Sequence, residues 1–404
     1  MANKPNIRFK GFTEEWRKSP LSDYLVVSSE RNINNQYTAE DVQSVSGEYG
    51  VVNQIEFQGR SFAGASLLGY RVIHHGEIAY TKSPLKQSPY GIIKANKIET
   101  GIVSSLYGVY KVKNGYANFI QDYFDLLSRL NGYLRPLVNK GAKNTLLITD
   151  DGAISGDVIF PNEAEQKEVS KIIESISASI TQREKELEKL KNIKRALLEK
   201  LFPQNGSKVP ALRFKEFAEE WEDNVLEDVY YRCIEKNDLS FGPDKIISVA
   251  NMFYRSEVSN SSDDYMKTYN IMRLGDIAYE GNKSINYAYG RWVENDIGDG
   301  IVSHVFEVLR PKCVYDLLYW KYAINNEYIM RKLLLRSTKK ATMMTNVVVA
   351  DFLRQKILIP TIYEQNKIGK LLAKFDHLLS FREKQLTLLK HTKQALLEQM
   401  FVNE

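Results

Sequence analysis

The amino-acid sequence contains one long internal repeat, and no other feature constrains the fold as strongly. The segment PNIRFKGFTEEW at residues 5–16 recurs as PALRFKEFAEEW at residues 210–221, an offset of 205. Farther along, matching blocks recur at an offset of 199: GEIAY (76–80) with GDIAY (275–279), GIVS (101–104) with GIVS (300–303), and ALLE (196–199) with ALLE (395–398). Because the matches keep the same order along the chain, the sequence is two copies of one unit of about 200 residues.

The composition excludes several classes of protein. Hydrophobic residues make up 43% of the chain, which is enough for packed cores and argues against wholesale disorder. Cys233 and Cys313 are the only cysteines, so a disulfide framework is excluded and a reducing cytosol is the expected compartment. No run of 18 apolar residues occurs, and the first residues lack the apolar stretch of a signal peptide. We therefore expect a cytoplasmic protein that does not cross a membrane.

Each copy changes character part of the way along. Residues 1–160 hold short β-rich runs separated by glycines and turn signals, which predict a mixed α/β globule. Pro161 can then open a helix, and no further proline occurs before Pro203. The second copy shows the same succession. We therefore predict globules at 1–160 and 205–359 and long helices at 161–204 and 360–404.

Apolar residues follow a heptad through both predicted helices. Eight of ten seam positions are apolar in each copy, over about five heptads, which is the pattern of a coiled coil. Lys194 and Lys393 interrupt the pattern at equivalent places. The residues expected to form the seam with the partner helix are Ile173, Ile176, Ile180, Leu187 and Leu190 in the first copy, and Leu372, Phe375, Leu379, Leu386 and Leu389 in the second.

The two long helices are expected to pair with each other. A helix of about 40 residues is about 60 Å long, and its apolar stripe needs a partner. If a pseudo-twofold axis relates the two copies, the helices run antiparallel, whereas a parallel pair would place both globules side by side. We predict an antiparallel intramolecular coiled coil joining two globules of mixed α/β class. The alternative, two ordinary domain helices, is disfavoured by their length and charged outer faces.

Catalytic signatures are missing from the sequence. It contains no His-Glu-x-x-His, Cys-x-x-Cys, Gly-x-x-x-x-Gly-Lys-Ser/Thr or Gly-x-Ser-x-Gly motif. It also lacks Pro-Pro, and therefore the Asn/Asp-Pro-Pro-Tyr signature of amino-methyltransferases. His74 and His75 are adjacent, but two imidazoles in a strand or turn explain them better than a metal site. We expect no catalytic residue and no metal site; scattered acids of a nuclease type are an alternative that inspection leaves open.

The distribution of charge is more informative than the net charge of +5. Between Asp125 and Asp150 every charged residue is basic, and the same holds between Glu327 and Asp351. Cations clustered in this way can neutralise phosphates and release counterions. The alternative is a solvated helix face, which recurrence at equivalent places disfavours. The residues expected to contact phosphates are Arg135, Lys140 and Lys143 in the first copy and Arg336, Lys339 and Lys340 in the second.

A polar loop follows each Gly-Glu/Asp-Ile-Ala-Tyr block. The two loops are similarly rich in Lys, Asn or Gln, Ser and Tyr, yet they differ in detail. Since Asn and Gln can pair with adenine and Lys and Arg with guanine, such loops suit two modules that read different bases. An ordinary polar turn is the alternative. The residues expected to contact DNA are Lys82, Ser83, Lys86, Gln87 and Tyr90 in the first loop, and Asn282, Lys283, Asn286, Tyr289 and Arg291 in the second.

Together these motifs resemble the specificity subunits of type I restriction–modification systems. The Pro-x-Leu/Ile-Arg-Phe-x-x-Phe-x-x-x-Trp opening at 5–16 and 210–221 is similar to a motif of that family. So are the Gly-Asp/Glu-Ile-x-Tyr block, the Glu-Gln early in each predicted helix and the Ala-Leu-Leu-Glu near its end. The resemblance covers almost the whole chain in order.

The resemblance implies two target-recognition domains, each reading one half of a bipartite site in double-stranded DNA. It further implies that the paired helices set the gap between the half-sites and dock two methyltransferase subunits, and that restriction/translocase subunits join this core. The chain itself would catalyse no reaction and hold no cofactor. S-adenosylmethionine, ATP and Mg2+ are expected in the partner subunits of the restriction endonuclease and adenine-methyltransferase complex.

Two functions of other classes compete with this hypothesis. One is a protein–protein scaffold in which the coiled coil is only a stalk. The other is a self-sufficient restriction or methylation enzyme, which the missing nucleotide and cofactor loops disfavour.

Overall fold

The computed structural model describes residues 3–64, 66–140, 146–204, 206–255, 262–284, 287–312, 315–340 and 344–402, without the side chains of Lys140 and Lys340. Contacts divide the chain into two compact units. The first comprises Met1–Glu184 and Lys384–Glu404, and the second comprises Lys185–Glu383. Each unit therefore contains one globule and a segment of each predicted long helix.

The strands of the first unit form one four-stranded antiparallel sheet and four antiparallel pairs. They are β1 (Arg17–Pro20), β2 (Leu25–Val27), β3 (Gln43–Ser46), β4 (Gly50–Asn53), β5 (Arg71–Ile73), β6 (Ile78–Tyr80), β7 (Ile93–Ala95), β8 (Gly101–Val103), β9 (Gly108–Val112), β10 (Asn139–Lys140), β11 (Leu146–Leu147) and β12 (Asp157–Phe160). The sheet has the order β2-β9-β6-β7, and the pairs are β1-β12, β3-β4, β5-β8 and β10-β11.

The second unit repeats this topology strand by strand. Its strands are β13 (Glu222–Val225), β14 (Tyr230–Cys233), β15 (Ile247–Ser248), β16 (Phe253–Tyr254), β17 (Asn270–Met272), β18 (Ile277–Glu280), β19 (Arg291–Glu294), β20 (Gly300–Val302), β21 (Val308–Pro311), β22 (Thr338–Lys340), β23 (Thr345–Val347) and β24 (Lys356–Ile359). The sheet order is β14-β21-β18-β19, and the pairs are β13-β24, β15-β16, β17-β20 and β22-β23. The predicted repeat of a mixed α/β globule is confirmed.

Short helices connect these strands, and one long helix follows each globule. The helices are α1 (Gln54–Gln58), α2 (Ala117–Asp125), α3 (Leu127–Leu134), α4 (Asp150–Ala153), α5 (Glu163–Lys200), α6 (Leu226–Val229), α7 (Asp263–Met266), α8 (Leu317–Ala323), α9 (Glu327–Ser337), α10 (Val349–Leu353) and α11 (Ile362–Gln399). Short 3-10 turns lie at Leu21–Asp23, Ala39–Asp41 and Pro243–Lys245.

The long helices α5 and α11 each contain 38 residues and pack antiparallel, as predicted. In the second unit Lys191 of α5 pairs with Glu383 of α11 at 3.0 Å, and Lys194 pairs with Asp376. Because the partner number falls as the α5 number rises, the two segments run in opposite directions. In the first unit Lys390 pairs with Glu184 at 2.7 Å.

Each long helix begins where a polar side chain caps its first turn. Asn162, directly after Pro161, accepts a hydrogen bond from the Glu165 amide at 3.0 Å. At the equivalent place in α11 the Thr361 hydroxyl accepts one from the Glu364 amide at 3.4 Å. Such caps satisfy amides that have no partner within the helix.

The tryptophan of each opening motif packs on an aromatic residue that follows a long helix. Trp16 is buried, and its ring centroid lies 6.3 Å from that of Phe401, just after α11. Trp221 lies 6.1 Å from Phe202, just after α5, in the same edge-to-face geometry. Aromatic pairs of this kind favour edge-to-face contact. The repeated opening motif therefore anchors the end of a long helix in each unit.

The arginine of each opening motif forms a buried ion pair with the start of a long helix. The Nε and Nη2 atoms of Arg8 donate to the Glu165 carboxylate at 2.7 and 2.8 Å. The same two atoms of Arg213 donate to the Glu364 carboxylate, both at 2.8 Å. Both glutamates are buried. The hydrogen bonds to Glu364 raise the pKa of the Arg213 guanidinium. These pairs explain why the same Arg and Glu recur in both copies.

A main-chain hydrogen bond completes each junction. The Ile7 amide donates to the Gln399 carbonyl, and the Leu212 amide donates to the Lys200 carbonyl, both at 2.9 Å. Eleven residues, 201–211, separate Lys200 from Leu212; residues 400–404 and 1–6 together also number eleven. The two junctions therefore share the same tryptophan, arginine and main-chain contacts.

Three expectations concern the chain as a whole. Within the described ranges, no helix combines the length and apolar character that a membrane crossing requires. Among those same residues, no group of three or more His, Cys, Asp or Glu side chains could hold a metal ion, and His74 instead contacts Glu30 at 3.0 Å. Cys233 is a buried free thiol, and Cys313 lies outside the described residues.

Candidate nucleic-acid interface

The two predicted base-contacting loops connect equivalent pairs of strands. The first joins β6 to β7, and the second joins β18 to β19. A tyrosine at the strand end anchors each loop: the Tyr80 hydroxyl donates to the Tyr90 carbonyl at 2.7 Å, and the Tyr279 hydroxyl donates to the Tyr289 carbonyl at 2.6 Å. Burial raises the pKa of both anchoring tyrosines, so they remain donors at neutral pH. The loops thus share one scaffold.

A glycine with positive φ returns each loop to the sheet. Gly91 has φ +91° and Gly290 has φ +72°. A Cβ at Gly91 would lie 1.9 Å from the Thr81 carbonyl oxygen, and one at Gly290 would lie 2.7 Å from the Glu280 carbonyl oxygen. Only glycine fits such a conformation with the neighbouring chain so close.

The tips of the two loops present different polar side chains. Ser83, Lys86 and Gln87 are exposed in the first loop, and Asn282 and Lys283 are exposed in the second. Tyr90 and Tyr289 are half-buried at the loop ends, and Asn286 lies outside the described residues. The two loops are therefore held in the same way but expose different hydrogen-bond donors and acceptors.

Lys82, Arg291 and Asn282 are among the predicted contact residues that have partners within the protein. The Lys82 ammonium lies 2.7 Å from Asp150, the Arg291 guanidinium lies 2.7 Å from Glu280, and the Asn282 amide donates to Glu280 at 3.0 Å. Burial alone would raise the pKa of Asp150, but hydrogen bonds from Lys82 and Arg71 lower it below the ordinary value. Asp150 and Glu280 thus position the loops, and the sequence contained no signal for this role.

The basic stretches lie on α3 and α9 and on the hairpins that follow these helices. Arg135 follows α3 and is exposed. Arg336 lies in the last turn of α9 and Lys339 on β22, and both are exposed. The backbone of Lys140 and Lys340 ends β10 and β22, the side chains of both lie outside the described part of the chain, and Lys143 lies outside it altogether.

The structure brings the loop and the basic hairpin together in the second unit. The Thr345 amide of β23 donates to the Gly281 carbonyl at 2.9 Å, and the Thr345 hydroxyl lies 2.7 Å from that of Tyr279. Asn282 and Met344 form a β-bridge. These contacts join two predicted segments that are about 60 residues apart in sequence.

The first unit joins its equivalent segments through other contacts. The Asn131 side chain of α3 donates to the Gln87 carbonyl at 3.2 Å. Lys82 also reaches Asp150, the first residue of α4. In both units the predicted base-contacting loop therefore contacts the segment that carries the predicted phosphate-contacting residues. A duplex requires both kinds of contact.

The predicted seam residues differ in their surroundings. Ile173 and Leu372 are fully buried and belong to the globular cores of the first and second unit. Leu187 is buried; the remaining predicted seam residues are half-buried, namely Ile176, Ile180, Leu190, Phe375, Leu379, Leu386 and Leu389. Leu378, Phe381 and Leu388 are among the exposed apolar residues of α11, and they lie outside the predicted seam. The heptad pattern did not single them out.

One family model matches the chain in sequence, and solved structures match it in fold. Residues 218–391 match the family model described as the Type I restriction modification DNA specificity domain. No curated protein has a matching sequence. The S subunit of a type I restriction–modification system from M. genitalium has a similar fold, with a TM-score of 0.60 at 10% identity over 99% of this chain and 100% of that one.

Two further solved structures are similar over nearly the whole chain. One is a chain from a structure that describes complex assembly and conformational transition of the type I R-M system. Its TM-score is 0.51 at 14% identity, over 96% of this chain and 97% of that chain. The other is the HsdS subunit from Thermoanaerobacter tengcongensis, with a TM-score of 0.45 at 15% identity over 96% of both chains.

The family model covers the second copy, and the internal repeat extends the same topology to the first. The resemblance to specificity subunits of type I restriction–modification systems is therefore confirmed: residues 218–391 match the DNA specificity domain of that family, and the whole chain is similar in fold to solved structures of such systems.

Proposed function

We propose that each globule reads one half of a bipartite site in double-stranded DNA, and that the chain is a non-catalytic subunit of a cytoplasmic restriction–modification complex. One observation supports this most strongly. Each loop is held by an equivalent tyrosine hydrogen bond and ends at an equivalent glycine with positive φ, yet the polar side chains between these points differ. Each loop also contacts a segment that carries basic residues. A pair of modules that read different bases needs this combination of common scaffold and variable tip.

The long helices set the interval between the half-sites and dock two methyltransferase subunits. Their length and antiparallel packing suit a rigid spacer, and exposed Leu378 and Phe381 suit a partner surface. Restriction/translocase subunits join that core. S-adenosylmethionine, ATP and Mg2+ act in the partner subunits, where the chemistry takes place.

Methylation mapping tests this proposal. The chain is co-expressed with its methyltransferase subunits, and methylated adenines are mapped across the host genome with and without it. We expect one motif made of two half-sites with a constant gap. Inserting four residues into a long helix lengthens it by about 6 Å and should change that gap. An unchanged gap would refute the spacer role.

Loop variants test the assignment of bases. Lys86→Ala with Gln87→Ala should alter the bases preferred in one half-site only, and Lys283→Ala should alter the other half-site only. Lys113→Ala, at an exposed lysine outside the loops, is the matched control and should leave the motif unchanged. A loop variant that weakens methylation equally at every sequence would contradict the loop assignment.

The competing functions have separate tests. A protein–protein scaffold would show no salt-sensitive binding to duplex DNA when the methyltransferase is present. A self-sufficient enzyme would modify or cut DNA when the lone chain is incubated with S-adenosylmethionine.

A further inference from the structure

A cationic cleft lies in the second unit, beside the proposed interface. It measures about 890 Å³, and its walls come from α5, α8, α9, α11 and the second loop. Two acids and six basic residues line it, the basic ones being Lys191, Lys194, Arg195, Lys321, Arg331 and Lys332. An open space of this charge attracts anions.

Half of these cations are already neutralised within the protein. The pairs are Lys191 with Glu383, Lys194 with Asp376, and Lys321 with Asp296. Arg195, Arg331 and Lys332 are exposed, and none of them makes an ion pair with a described residue. Glu327, the second lining acid, interacts electrostatically with Arg331 without forming an ion pair. The cleft therefore keeps a net positive charge, of which Arg195 and Lys332 carry the part that no described acid balances.

The first unit provides an internal comparison. The N-caps of α3 and α9 are Leu126 and Asn326, an offset of 200, so Arg331 corresponds to Asn131 and Lys332 to Gly132. Gly132 lines a cleft of about 330 Å³ in the first unit, where Arg129 is the one cation among the described lining residues. If the fold itself required these positive charges, we would expect them at the equivalent positions of the first unit, because the two units share one topology. The cations of the second cleft therefore point to a ligand.

The position of the cleft indicates which anion it takes. Tyr287 belongs to the second base-contacting loop and also lines the cleft, with Arg291 stacked 4.9 Å above its ring. Lys332 lies one turn, about 6 Å, before Arg336 on α9, so the cleft continues the basic segment of the interface. A chain of phosphates that leaves the loop would enter this cleft and reach α5.

We propose that this cleft binds the phosphodiester backbone of duplex DNA outside the bases read by the second loop. The inference rests on the proposed function and adds a contact that has no sequence preference. It also makes the long helix α5, through Arg195, a direct DNA contact as well as a spacer. The equivalent residues of the first unit, Asn131 and Gly132, carry no charge, so the two half-sites are held unequally.

The test compares two triple variants of the full chain, assembled with its methyltransferase subunits. The first carries Arg195→Gln, Arg331→Gln and Lys332→Gln. The control carries Lys189→Gln, Lys370→Gln and Lys374→Gln, which removes the same charge from exposed residues of the second unit that do not line the cleft. Affinity for duplexes with and without the mapped site is measured between 50 and 200 mM salt.

Loss of three phosphate contacts should reduce the slope of log affinity against log salt concentration by about 2.7. Over this fourfold change in salt concentration, the wild type should therefore lose about 40-fold more affinity than the cleft variant does, for both duplexes. The ratio of the affinities for the two duplexes should stay the same. The control should keep the wild-type slope. A cleft variant whose slope equals that of the control overturns the proposal.

Other outcomes separate the cleft from the proposed function. If the wild type binds DNA without sequence preference and the cleft variant lowers the slope, the cleft assignment stands and the reading function fails. If the wild type does not bind DNA, both fail. Tripolyphosphate is added as a competitor. If bound duplex prevents tripolyphosphate from binding in the cleft, the cleft is a DNA site. If tripolyphosphate binds in the cleft without changing the affinity for duplex, the proposal is overturned.

Discussion

Replacing Glu364 with glutamine should destabilise the second unit far more than breaking an equally well-formed ion pair at the surface. Glu364 is 1% exposed and accepts two hydrogen bonds of 2.8 Å from Arg213, whose side chain is 11% exposed. Glu307 accepts two bonds of 2.7 and 2.8 Å from Arg232, but these side chains are 32% and 54% exposed. Glu307→Gln is therefore a matched control that differs mainly in burial.

The expected magnitudes follow from desolvation. Removing the charge of Glu364 leaves the part-buried Arg213 guanidinium without a counter-charge, which costs at most about 3 to 5 kcal/mol. Removing the charge of Glu307 leaves Arg232 in water and costs roughly 0 to 1 kcal/mol. With a urea dependence of about 3 kcal/mol per molar, the first variant should lower the unfolding midpoint by up to about 1 M, and by clearly more than the second variant does.

Urea unfolding of the full chain measures the difference. Tryptophan fluorescence reports mainly on the second unit, because Trp221, Trp292 and Trp320 lie there and only Trp16 lies in the first. The double variant Arg213→Met with Glu364→Leu removes both charges and should recover most of the lost stability. Equal midpoints for Glu364→Gln and Glu307→Gln, or no recovery in the double variant, would refute the reasoning.

Three further predictions concern pH, the loop and the chain order. Burial raises the pKa of Asp122 to about 7, above its ordinary value of 3.8, so the folded state holds a proton that the unfolded state releases, and stability should fall from pH 4 to pH 7 and then level off. Asp122→Asn should remove this fall and stabilise the first unit at pH 8 by at most about 4 kcal/mol; a pH profile of melting temperature that keeps the fall contradicts this. Gly290→Ala would place a Cβ 2.5 Å from the Tyr279 hydroxyl at φ +72°, so it should cost about 1 to 3 kcal/mol and change the preferred bases of one half-site, whereas Gly132→Ala, with open space around its Cβ, should leave the motif intact. A permuted chain that starts at residue 206 and joins residue 404 directly to residue 1 keeps eleven residues at the new junction, so it should fold with nearly wild-type stability and methylate the same motif; a permutant that aggregates or changes the motif would show that the junctions are not equivalent.

Much of the fold could be predicted because the sequence repeats. The heptads predicted two long helices, and the order of the two copies favoured antiparallel packing, which Lys191 and Glu383 confirm. The prolines before α5 and α11 placed the helix starts close to residues 163 and 362. These features are local or periodic, so a single sequence suffices to find them.

The surroundings of the candidate site could not be predicted in the same way. Whether Lys82 or Arg291 faces solvent depends on Asp150 and Glu280, and no spacing rule connects Lys82 with Asp150 across 68 residues. The contact between Thr345 and Gly281 likewise depends on how two hairpins pack. The long-range pairing of charged groups thus depends on the packed fold, and the sequence alone does not specify it.

The two equivalent junctions have an evolutionary consequence. Residues 3–16 meet the end of α11 through the same tryptophan, arginine and main-chain bonds by which residues 208–221 meet the end of α5. The same set of contacts therefore joins an opening motif to the end of a long helix in each unit. A gene encoding a single copy would supply one opening motif and one helix end, and two such products could exchange these contacts as a homodimer with identical globules. Such an ancestor would recognise a palindrome, and duplication followed by divergence of the loops would free the two half-sites to differ.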